Sequence, residues 1–143
     1  MKIIRKINDE LAIAGQITPE QLQQIVQEGF KSVLNLRSPD EEGFLIGEQE
    51  QVEALGLDYK NIPIKVEAIN DEITTRVFRV INELPKPILV HCSSAKRAAA
   101  LVLMYIAMRQ GATFKQAFNQ AEQLGLFAMF TSCTSAKNRV SCK

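Results

Sequence analysis

The sequence predicts an α/β fold in which a mostly parallel central sheet is flanked by helices on both faces. Short β-rich runs alternate along the chain with segments whose apolar residues recur at helical spacing. This alternation is typical of parallel sheets, because each parallel strand needs a crossover connection to reach the next. An uninterrupted apolar run at residues 88–90 indicates a strand at the centre of the sheet, where both faces are covered.

Five segments have the composition of short strands, namely residues 2–7, 11–15, 32–36, 58–64 and 88–90. The third is a buried strand with Arg37 directly after its carboxyl end, and residues 65–70 connect the fourth strand to the next helix. The sequence contains no internal repeat and no low-complexity segment.

Helix boundaries follow from capping signals. Thr18 precedes Pro19 and forms a capping-box pattern with Gln21, and Thr113 forms another with Gln116. A third N-cap is supplied by Asn70. A glycine or proline lies one or two residues after the end of each predicted helix, and both residue types commonly end helices. The helices are expected over residues 19–28, 46–55, 71–84, 97–109 and 114–124.

The length of 143 residues fits one domain, which we expect over residues 1–127. Residues 128–143 have weak periodicity and many small polar side chains, and they predict a loosely ordered tail. Two of the three cysteines, Cys133 and Cys142, lie in this tail. They are expected to be free surface thiols, with a disulfide between them as the alternative.

The composition of the chain limits which classes of partner and cofactor we expect. A net charge of +1 gives no reason to expect nucleic acid as a partner. The first ten residues are too charged for a signal peptide and no apolar stretch is long enough to span a membrane, so we expect a cytoplasmic protein without a membrane partner. The three cysteines and the lone His91 lack zinc-ligand spacing, and no metal or other cofactor is expected.

The main candidate for chemistry is Cys92, at the junction between the predicted central strand and the helix that follows it. Ligands of open parallel sheets bind at the carboxyl ends of strands, and a helix N-terminus offers free N–H groups and a positive dipole end. Arg97 adds a planar, permanently charged fork suited to an oxyanion. Both features favour the thiolate of Cys92. A reactive cysteine that also holds a tetrahedral dianion is typical of a phosphatase.

The alternative is that Cys92 is a small buried hydrophobic residue and Arg97 a surface cation. The strand, the serine-rich loop, the arginine and the helix occur together, which favours the functional interpretation. His91 points to the opposite face of the strand. It is expected to hydrogen-bond the backbone beneath the loop, or to be a satisfied core histidine. Lys96 either adds positive potential at the mouth of the site or is simply solvated.

Residues 88–102 (ILVHCSSAKRAAALV) resemble the phosphate-binding loop of the cysteine-based protein tyrosine and dual-specificity phosphatases. Further motifs occur in the order typical of the bacterial phosphatase-like domain of the β-lactamase hydrolase-like proteins: AGQITPEQL at 14–22, VLNLRSPDE at 33–41 and NIPI at 61–64. The resemblance covers residues 5–125 and implies a compact protein tyrosine phosphatase-like fold.

The resemblance also implies roles for individual residues. Cys92 would be the nucleophile that forms a cysteinyl-phosphate, and Arg97 with the backbone N–H groups of Ser93, Ser94, Ala95, Lys96 and Arg97 would hold the phosphoryl oxygens. Gln16 and Arg37 would support the pocket. Loop hydrogen bonding is the alternative role for Gln16, and a surface salt bridge with the acidic residues 40–42 is the alternative for Arg37.

Three departures from the family pattern concern the loop. Four residues separate Cys92 from Arg97, where tyrosine phosphatases usually have five, and many rhodanese-type sulfurtransferases share the shorter spacing. Ala95 stands where the family usually has glycine, which is unfavourable if that position needs a positive φ. Ala98 stands where a Ser or Thr often stabilises the thiolate, and a hydroxyl of Ser93 or Ser94 is the alternative source of this support.

A tyrosine phosphatase also needs a general acid that protonates the leaving oxygen. No aspartate aligns with the expected position in the segment after residue 61. Glu67 is the first candidate because of its place after the strand, and Asp71 is the second. Asp71 has the alternative role of interacting with the dipole at the first turn of its helix.

The leading hypothesis is therefore a cysteine-dependent phosphatase that hydrolyses a phosphomonoester through a cysteinyl-phosphate. Its partner would be a phosphorylated small molecule or a phosphoprotein, and phosphate or sulfate is expected to bind in the site. One alternative is a rhodanese-like sulfurtransferase or persulfide carrier on the same cysteine. Another is an oxyanion-binding pseudophosphatase without catalytic activity.

Overall fold

The structure, a computed structural model, describes residues 4–126 except for the side chain of Val66. Within this range it contains five strands: β1 (Ile4–Lys6), β2 (Leu11–Ala14), β3 (Ser32–Asn35), β4 (Asp58–Asn61) and β5 (Ile88–His91). The helices of the same range are α1 (Pro19–Gln27), α2 (Glu48–Ala54), α3 (Asp71–Glu83), α4 (Lys96–Arg109) and α5 (Phe114–Gln123), with a single 3-10 turn at Val66–Ala68. The predicted α/β fold is confirmed. The predicted tail, with Cys133 and Cys142, lies outside the described residues.

The five strands form one sheet in the order β1-β2-β5-β3-β4. Four of them are parallel, and β1 adds to the edge as the antiparallel half of a hairpin with β2. The central strand β5 aligns His91 with Ala14 on one side and with Asn35 on the other. The carboxyl ends of three strands therefore meet at one edge of the sheet, directly where the chain continues into Cys92.

Helices cover both faces of the sheet. One face packs against α3, α4 and α5, and its core includes Val77, Leu101 and Ala121. The opposite face packs against α1 and α2, and its core includes Ile25 and Val52. Successive residues of a strand alternate between these two cores, so the central strand and its continuation send Val90 and Cys92 to the α4 side and Leu89 to the α1–α2 side.

The local signals at the helix starts have the predicted geometry. Thr18 and Thr113 each accept a hydrogen bond from the third helical N–H and complete a capping box, and the Asn70 side chain accepts from Ile73 N at 2.9 Å. The second helix begins at Glu48 and not at Ile46, because Ile46 and Gly47 form a turn before it. None of the helices formed by residues 4–126 is both long and apolar enough to cross a membrane.

Candidate active site

The loop after β5 is held by backbone hydrogen bonds from the neighbouring strand end. Cys92 N donates to Ala14 O at 3.2 Å, and Gln16 N donates to Ser93 O at 3.1 Å. Between these two contacts lies Gly15, where an added Cβ would lie 3.0 Å from Ser93 O. Only glycine therefore fits this close approach without a shift of the backbone.

The sulfur of Cys92 lies against the start of α4. The residue is fully buried, and its Sγ accepts a hydrogen bond from Ala98 N at 3.4 Å. Ala98 is the third residue of α4, where an N–H has no acceptor within the helix. The backbone of Ala98 thus supports the sulfur where the family pattern has a hydroxyl side chain.

The loop itself turns through a left-handed residue. Ala95 has φ 76° and ψ −10°, and within residues 4–126 it is the one residue other than glycine that the structure records with positive φ. An alanine in this conformation carries strain of about 1–2 kcal/mol. Ser93 and Ser94 are exposed, and Lys96 is half-buried as the first residue of α4. The backbone at position 95 thus has the positive φ at which alanine is unfavourable.

Arg97 is buried and its guanidinium is held by two groups. Nη1 donates to Glu41 Oε2 at 2.6 Å and Nη2 donates to Glu41 Oε1 at 2.9 Å, which makes a bidentate pair. Nη1 also donates to Ile64 O at 2.9 Å. The hydrogen bonds that Arg97 donates to Glu41 raise the pKa of the Arg97 guanidinium, and the negative form of the Cys92 thiol adds to this effect.

Glu41 is the centre of a cluster of donors. Besides the two bonds from Arg97, its Oε1 accepts from Arg37 Nε at 3.0 Å and its Oε2 accepts from Ser38 N at 2.9 Å. The Arg97 hydrogen bonds, together with those of Ser38 and Arg37, lower the pKa of Glu41 to about 2 although partial burial opposes them. The carboxylate of Glu41 therefore stays charged throughout the physiological pH range.

Arg37 extends this cluster to the opposite face of the sheet. Its Nη1 donates to Gln16 Oε1 at 2.7 Å, and Gln16 Nε2 donates to Glu48 Oε1 at 2.9 Å. Glu48 Oε2 lies 2.5 Å from His91 Nε2. A continuous path of side-chain hydrogen bonds therefore runs to Arg97 from His91, the residue before Cys92. Its intermediate members are Glu48, Gln16, Arg37 and Glu41.

The structure thus brings Cys92, Arg97, Gln16, Arg37 and His91 into one neighbourhood. Arg37 pairs with an acidic residue of the 40–42 cluster, but it does so as a buried side chain and not at the surface. The His91 ring lies between Glu48 and Cys92 O, which is 3.4 Å from Nδ1. Its main partner is a buried carboxylate and not the backbone.

The two candidate general acids are exposed residues of the segment that follows β4. Glu67 is exposed in the 3-10 turn, and Asp71 is exposed at the first position of α3. The Asp71 carboxylate accepts a weak bond of 3.5 Å from the Thr75 hydroxyl, in keeping with a role at the first turn of its helix. Both acids are therefore accessible to solvent, whereas Cys92 and Arg97 are buried.

Sequence reasoning missed Glu48 and the role of Glu41. Both lie in acidic segments whose composition is typical of a solvated surface. Glu48 is nevertheless only 2% exposed, and Glu41 forms ion pairs with two buried arginines. The one available signal is that Glu41 follows the NLR motif by four residues, a spacing that allows a pair with Arg37. Among residues 4–126 no group of three or more His, Cys, Asp or Glu side chains is placed to hold a metal ion.

Comparison with known protein families gives one extended match. A family model described as a DSP-PTPase phosphatase fused to NAD+ kinase, where the abbreviations denote dual-specificity and protein tyrosine phosphatases, matches residues 5–138. This match covers almost the whole chain and includes every residue of the site described above.

A curated relative agrees with this match. The β-lactamase hydrolase-like protein of Xylella fastidiosa (strain Temecula1 / ATCC 700964) is 31% identical over 128 residues, which cover 87% of this chain and 28% of that protein. The chain therefore spans little more than a quarter of the length of this relative.

Solved structures show the same fold at lower identity. A DUF442 phosphatase-like protein of Shewanella putrefaciens CN-32 has a TM-score of 0.72 at 23% identity, covering 91% of this chain and 87% of the other. Pseudomonas aeruginosa TpbA bound to phosphotyrosine has a TM-score of 0.67 at 17% identity, covering 87% and 74%. At these identities the likeness concerns the fold alone.

Proposed function

The chain belongs to the family of dual-specificity-type phosphatases described as fused to NAD+ kinase, and from this premise we propose that it hydrolyses a phosphomonoester through a cysteinyl-phosphate. It is a phosphatase-like protein of the cysteine-based protein tyrosine and dual-specificity superfamily. The proposal assigns the reaction itself to Cys92 and Arg97.

In the first step the thiolate of Cys92 attacks phosphorus. The S–P bond forms while the P–O bond to the leaving group breaks, and the leaving oxygen takes up a proton. The bond from Ala98 N to Sγ supports this role, because a donor at the helix N-terminus stabilises a negative sulfur. Attack by the sulfur needs no metal ion.

The negative charge on the phosphoryl group is met by Arg97 and by the N–H groups at the start of α4. A permanently charged planar guanidinium suits two oxyanion contacts, and backbone N–H groups at a helix N-terminus bind phosphate in the same way. Arg97 uses Nη1 and Nη2 for Glu41 and for Ile64 O, and a guanidinium offers five N–H donors in all. In the proposed reaction this guanidinium and the N–H groups at the start of α4 hold the phosphoryl oxygens together.

In the second step water attacks the cysteinyl-phosphate. The S–P bond breaks, inorganic phosphate leaves and the thiolate is restored. Glu67 remains the first candidate for the acid of the first step and for the base that activates this water, with Asp71 second. Because both side chains are exposed and no aspartate aligns with the expected position, substrates with good leaving groups are expected to turn over most efficiently.

The substrate class is a phosphorylated small molecule or a phosphoprotein. TpbA, which shares the fold, binds phosphotyrosine. The exposed positions of Ser93 and Ser94 support access of a phosphoryl group to the loop from solvent. Phosphate and sulfate, which are both tetrahedral oxyanions, are expected to bind there.

The observation that carries the proposal is the contact between Cys92 and the N-terminus of α4, with Arg97 in the same turn. Changing Cys92 to serine is expected to abolish hydrolysis of an activated aryl phosphate, because an alkoxide is far harder to form than a thiolate. Cys92→Ser with wild-type turnover would contradict the proposal. Circular dichroism of the variant serves as the control for folding.

The engagement of Arg97 by Glu41 and the exposure of Glu67 and Asp71 favour a second candidate, an oxyanion-binding pseudophosphatase. On this account the loop recognises a phosphorylated partner and forms no covalent intermediate. Phosphate binding in calorimetry without any hydrolysis of an aryl phosphate would support the second candidate. Turnover that depends on Cys92 would exclude it.

A further inference from the structure

We propose that Ile46, together with Phe44 and Leu45 before it, binds the organic group of the substrate, and that the substrate is a phosphomonoester of a hydrophobic alcohol without further charged groups. The inference rests on the proposed function, because it takes the phosphoryl group to lie at the Cys92–Arg97 loop. It goes beyond that function by naming the chemical class of the substrate and a residue that selects it.

Ile46 is unusual among the apolar side chains of the protein. Across the described part of the chain, the large apolar side chains recorded as exposed are Ile46, at 89%, and Leu124, at 66%. Ile46 follows Phe44 and Leu45, which are half-buried, so three large apolar residues stand in a row. Of residues 4–126, those packed in or against the two cores of the sheet do not include these three. A consecutive apolar run outside the core indicates a binding surface, whereas a single exposed apolar residue does not.

This apolar run belongs to a segment that is fixed at both ends to the loop after β5. The segment consists of residues 41–48 and is called the rim segment below. At its start, Glu41 accepts two hydrogen bonds from Arg97, at 2.6 and 2.9 Å. At its end, Glu48 Oε2 lies 2.5 Å from Nε2 of His91, the last residue of β5. The rim segment therefore runs along one side of the loop that would hold the phosphoryl group.

Backbone turns hold Ile46 between these two fixed ends. Phe44 N donates to Glu41 O and Glu48 N donates to Leu45 O, both at 3.1 Å. Two residues of extended chain span about 7 Å at most, so the backbone of Ile46 lies within this distance of the backbone of Glu48. The exposed side chain of Ile46 is thereby held near the border of the site.

Three segments border the loop after β5, and the organic group of a bound substrate has to pass between them. The segment between β2 and α1 donates from Gln16 N to Ser93 O at 3.1 Å. The segment after β4 accepts at Ile64 O from Arg97 Nη1 at 2.9 Å, and the rim segment is the third. Among the described side chains of these segments, Ile46 is the large apolar one recorded as exposed. An apolar organic group that passes the rim segment is therefore stabilised by burying surface against Ile46.

The charges of the same region oppose a substrate with a second phosphate. Asp40 and Glu42 are exposed carboxylates on either side of Glu41. The cation that pairs with Asp40 is Lys65, at 3.4 Å, so its charge is already balanced by a carboxylate. A polyanionic substrate would meet like charges here, and an uncharged organic group avoids this repulsion. Charge and apolar surface thus favour the same class of substrate.

The experiment measures the affinity of three phosphonates by calorimetry. Phosphonates resist hydrolysis at the P–C bond, so their binding is measured whether or not the protein is an active phosphatase. Methylphosphonate carries little more than the phosphoryl mimic, hexylphosphonate adds an apolar chain, and methylenediphosphonate adds a second charged group. Ile46→Ser and Ile46→Met are compared with the wild type, because methionine keeps an apolar side chain. Leu124→Ser is the matched control, since it removes the other exposed apolar side chain, at the end of α5.

We expect the wild type to bind hexylphosphonate about 10-fold more tightly than methylphosphonate, and also more tightly than methylenediphosphonate. Ile46→Ser is expected to lose about 5-fold of the hexylphosphonate affinity and to keep the methylphosphonate affinity, because it removes apolar surface and leaves the loop after β5 unchanged. Ile46→Met and Leu124→Ser are expected to match the wild type with both ligands.

Two kinds of result overturn the inference and leave the proposed function intact. In the first, the wild type binds methylphosphonate and hexylphosphonate equally, or binds methylenediphosphonate most tightly. In the second, Ile46→Ser keeps the hexylphosphonate affinity of the wild type or loses the same factor with both ligands. Selective binding of hexylphosphonate that depends on Ile46, without hydrolysis of an aryl phosphate, contradicts the proposed function alone. A wild type that binds none of the three phosphonates contradicts both.

Discussion

Nε2 of His91 lies 2.5 Å from Oε2 of Glu48, in a pair whose two side chains are almost completely buried. His91 is the last residue of β5, and Glu48 is the first residue of α2 on the opposite face of the sheet from Cys92. The residue that precedes Cys92 is thus held by a carboxylate at the start of a helix on the other face of the sheet. This relationship makes the backbone of the loop depend on a distant carboxylate.

Replacement of Glu48 by alanine is expected to lower the free energy of unfolding by about 3 kcal/mol. His91 and Gln16 would both lose a buried acceptor, and water cannot reach the site easily. Urea-induced unfolding measures this change. Glu50→Ala, at an exposed position of the same helix, is the control and is expected to change stability little. Equal effects of the two substitutions would contradict the structural role of Glu48.

Replacement of Ala95 by glycine is expected to raise the free energy of unfolding by about 1 kcal/mol, because the strain of a Cβ at positive φ disappears. The control is Ala99→Gly in the interior of α4, which is expected to lower stability by about 1 kcal/mol. Both changes replace the same residue type by glycine. Destabilisation by Ala95→Gly would show that the left-handed conformation is not adopted in solution.

The stability of the protein is expected to fall as the pH drops from 4.5 to 2, because the Glu41 carboxyl takes up a proton in the unfolded chain before it does so in the folded protein. Its pKa is lowered from 4.5 to about 2 in the folded protein. Its contribution is therefore fully present above pH 4.5 and is lost as the pH falls through the folded value. Unfolding by urea at several pH values in this window measures the slope. Glu41→Gln is expected to flatten it, and an unchanged slope in this variant would contradict the assignment.

Replacement of Gly15 by alanine is expected to reduce phosphate binding and turnover by about 10-fold or more, since a small misplacement of a site is costly. The added Cβ would lie 3.0 Å from Ser93 O and push the loop away from Gln16. Gly47→Ala is the matched control, because nothing lies within 4 Å of its added Cβ. Steady-state kinetics and calorimetry with inorganic phosphate compare the two. Normal binding by Gly15→Ala would show that the loop tolerates the displacement.

Much of the fold follows from signals that are local in the sequence. The caps at Thr18, Asn70 and Thr113 depend on residues three positions apart, and the central strand is recognisable from an apolar run. The same holds for the junction at Cys92, since a strand, a short loop and a helix follow one another directly. These features could be predicted because the interactions that form them lie within a few residues.

The supports of the site could not be predicted in this way. Glu41 contacts a residue 56 positions later, and Glu48 contacts one 43 positions later. In sequence both are acidic residues of polar segments, and only the tertiary fold buries Glu48 and brings Glu41 against Arg97. Glu67 and Asp71 are candidates for the general acid because they follow β4 in the sequence. The direction of that segment depends on tertiary packing, and Glu67 and Asp71 remain exposed.

The central claim is that Cys92 forms a covalent bond to phosphorus. The most direct test is mass spectrometry of peptides from protein that has been mixed with an activated aryl phosphate and quenched in acid. We expect the peptide that contains Cys92 to gain the mass of one phosphoryl group, and we expect this adduct to be absent from Cys92→Ser. Hydrolysis of the substrate without an adduct on Cys92, or with the phosphoryl group on another residue, would contradict the claim.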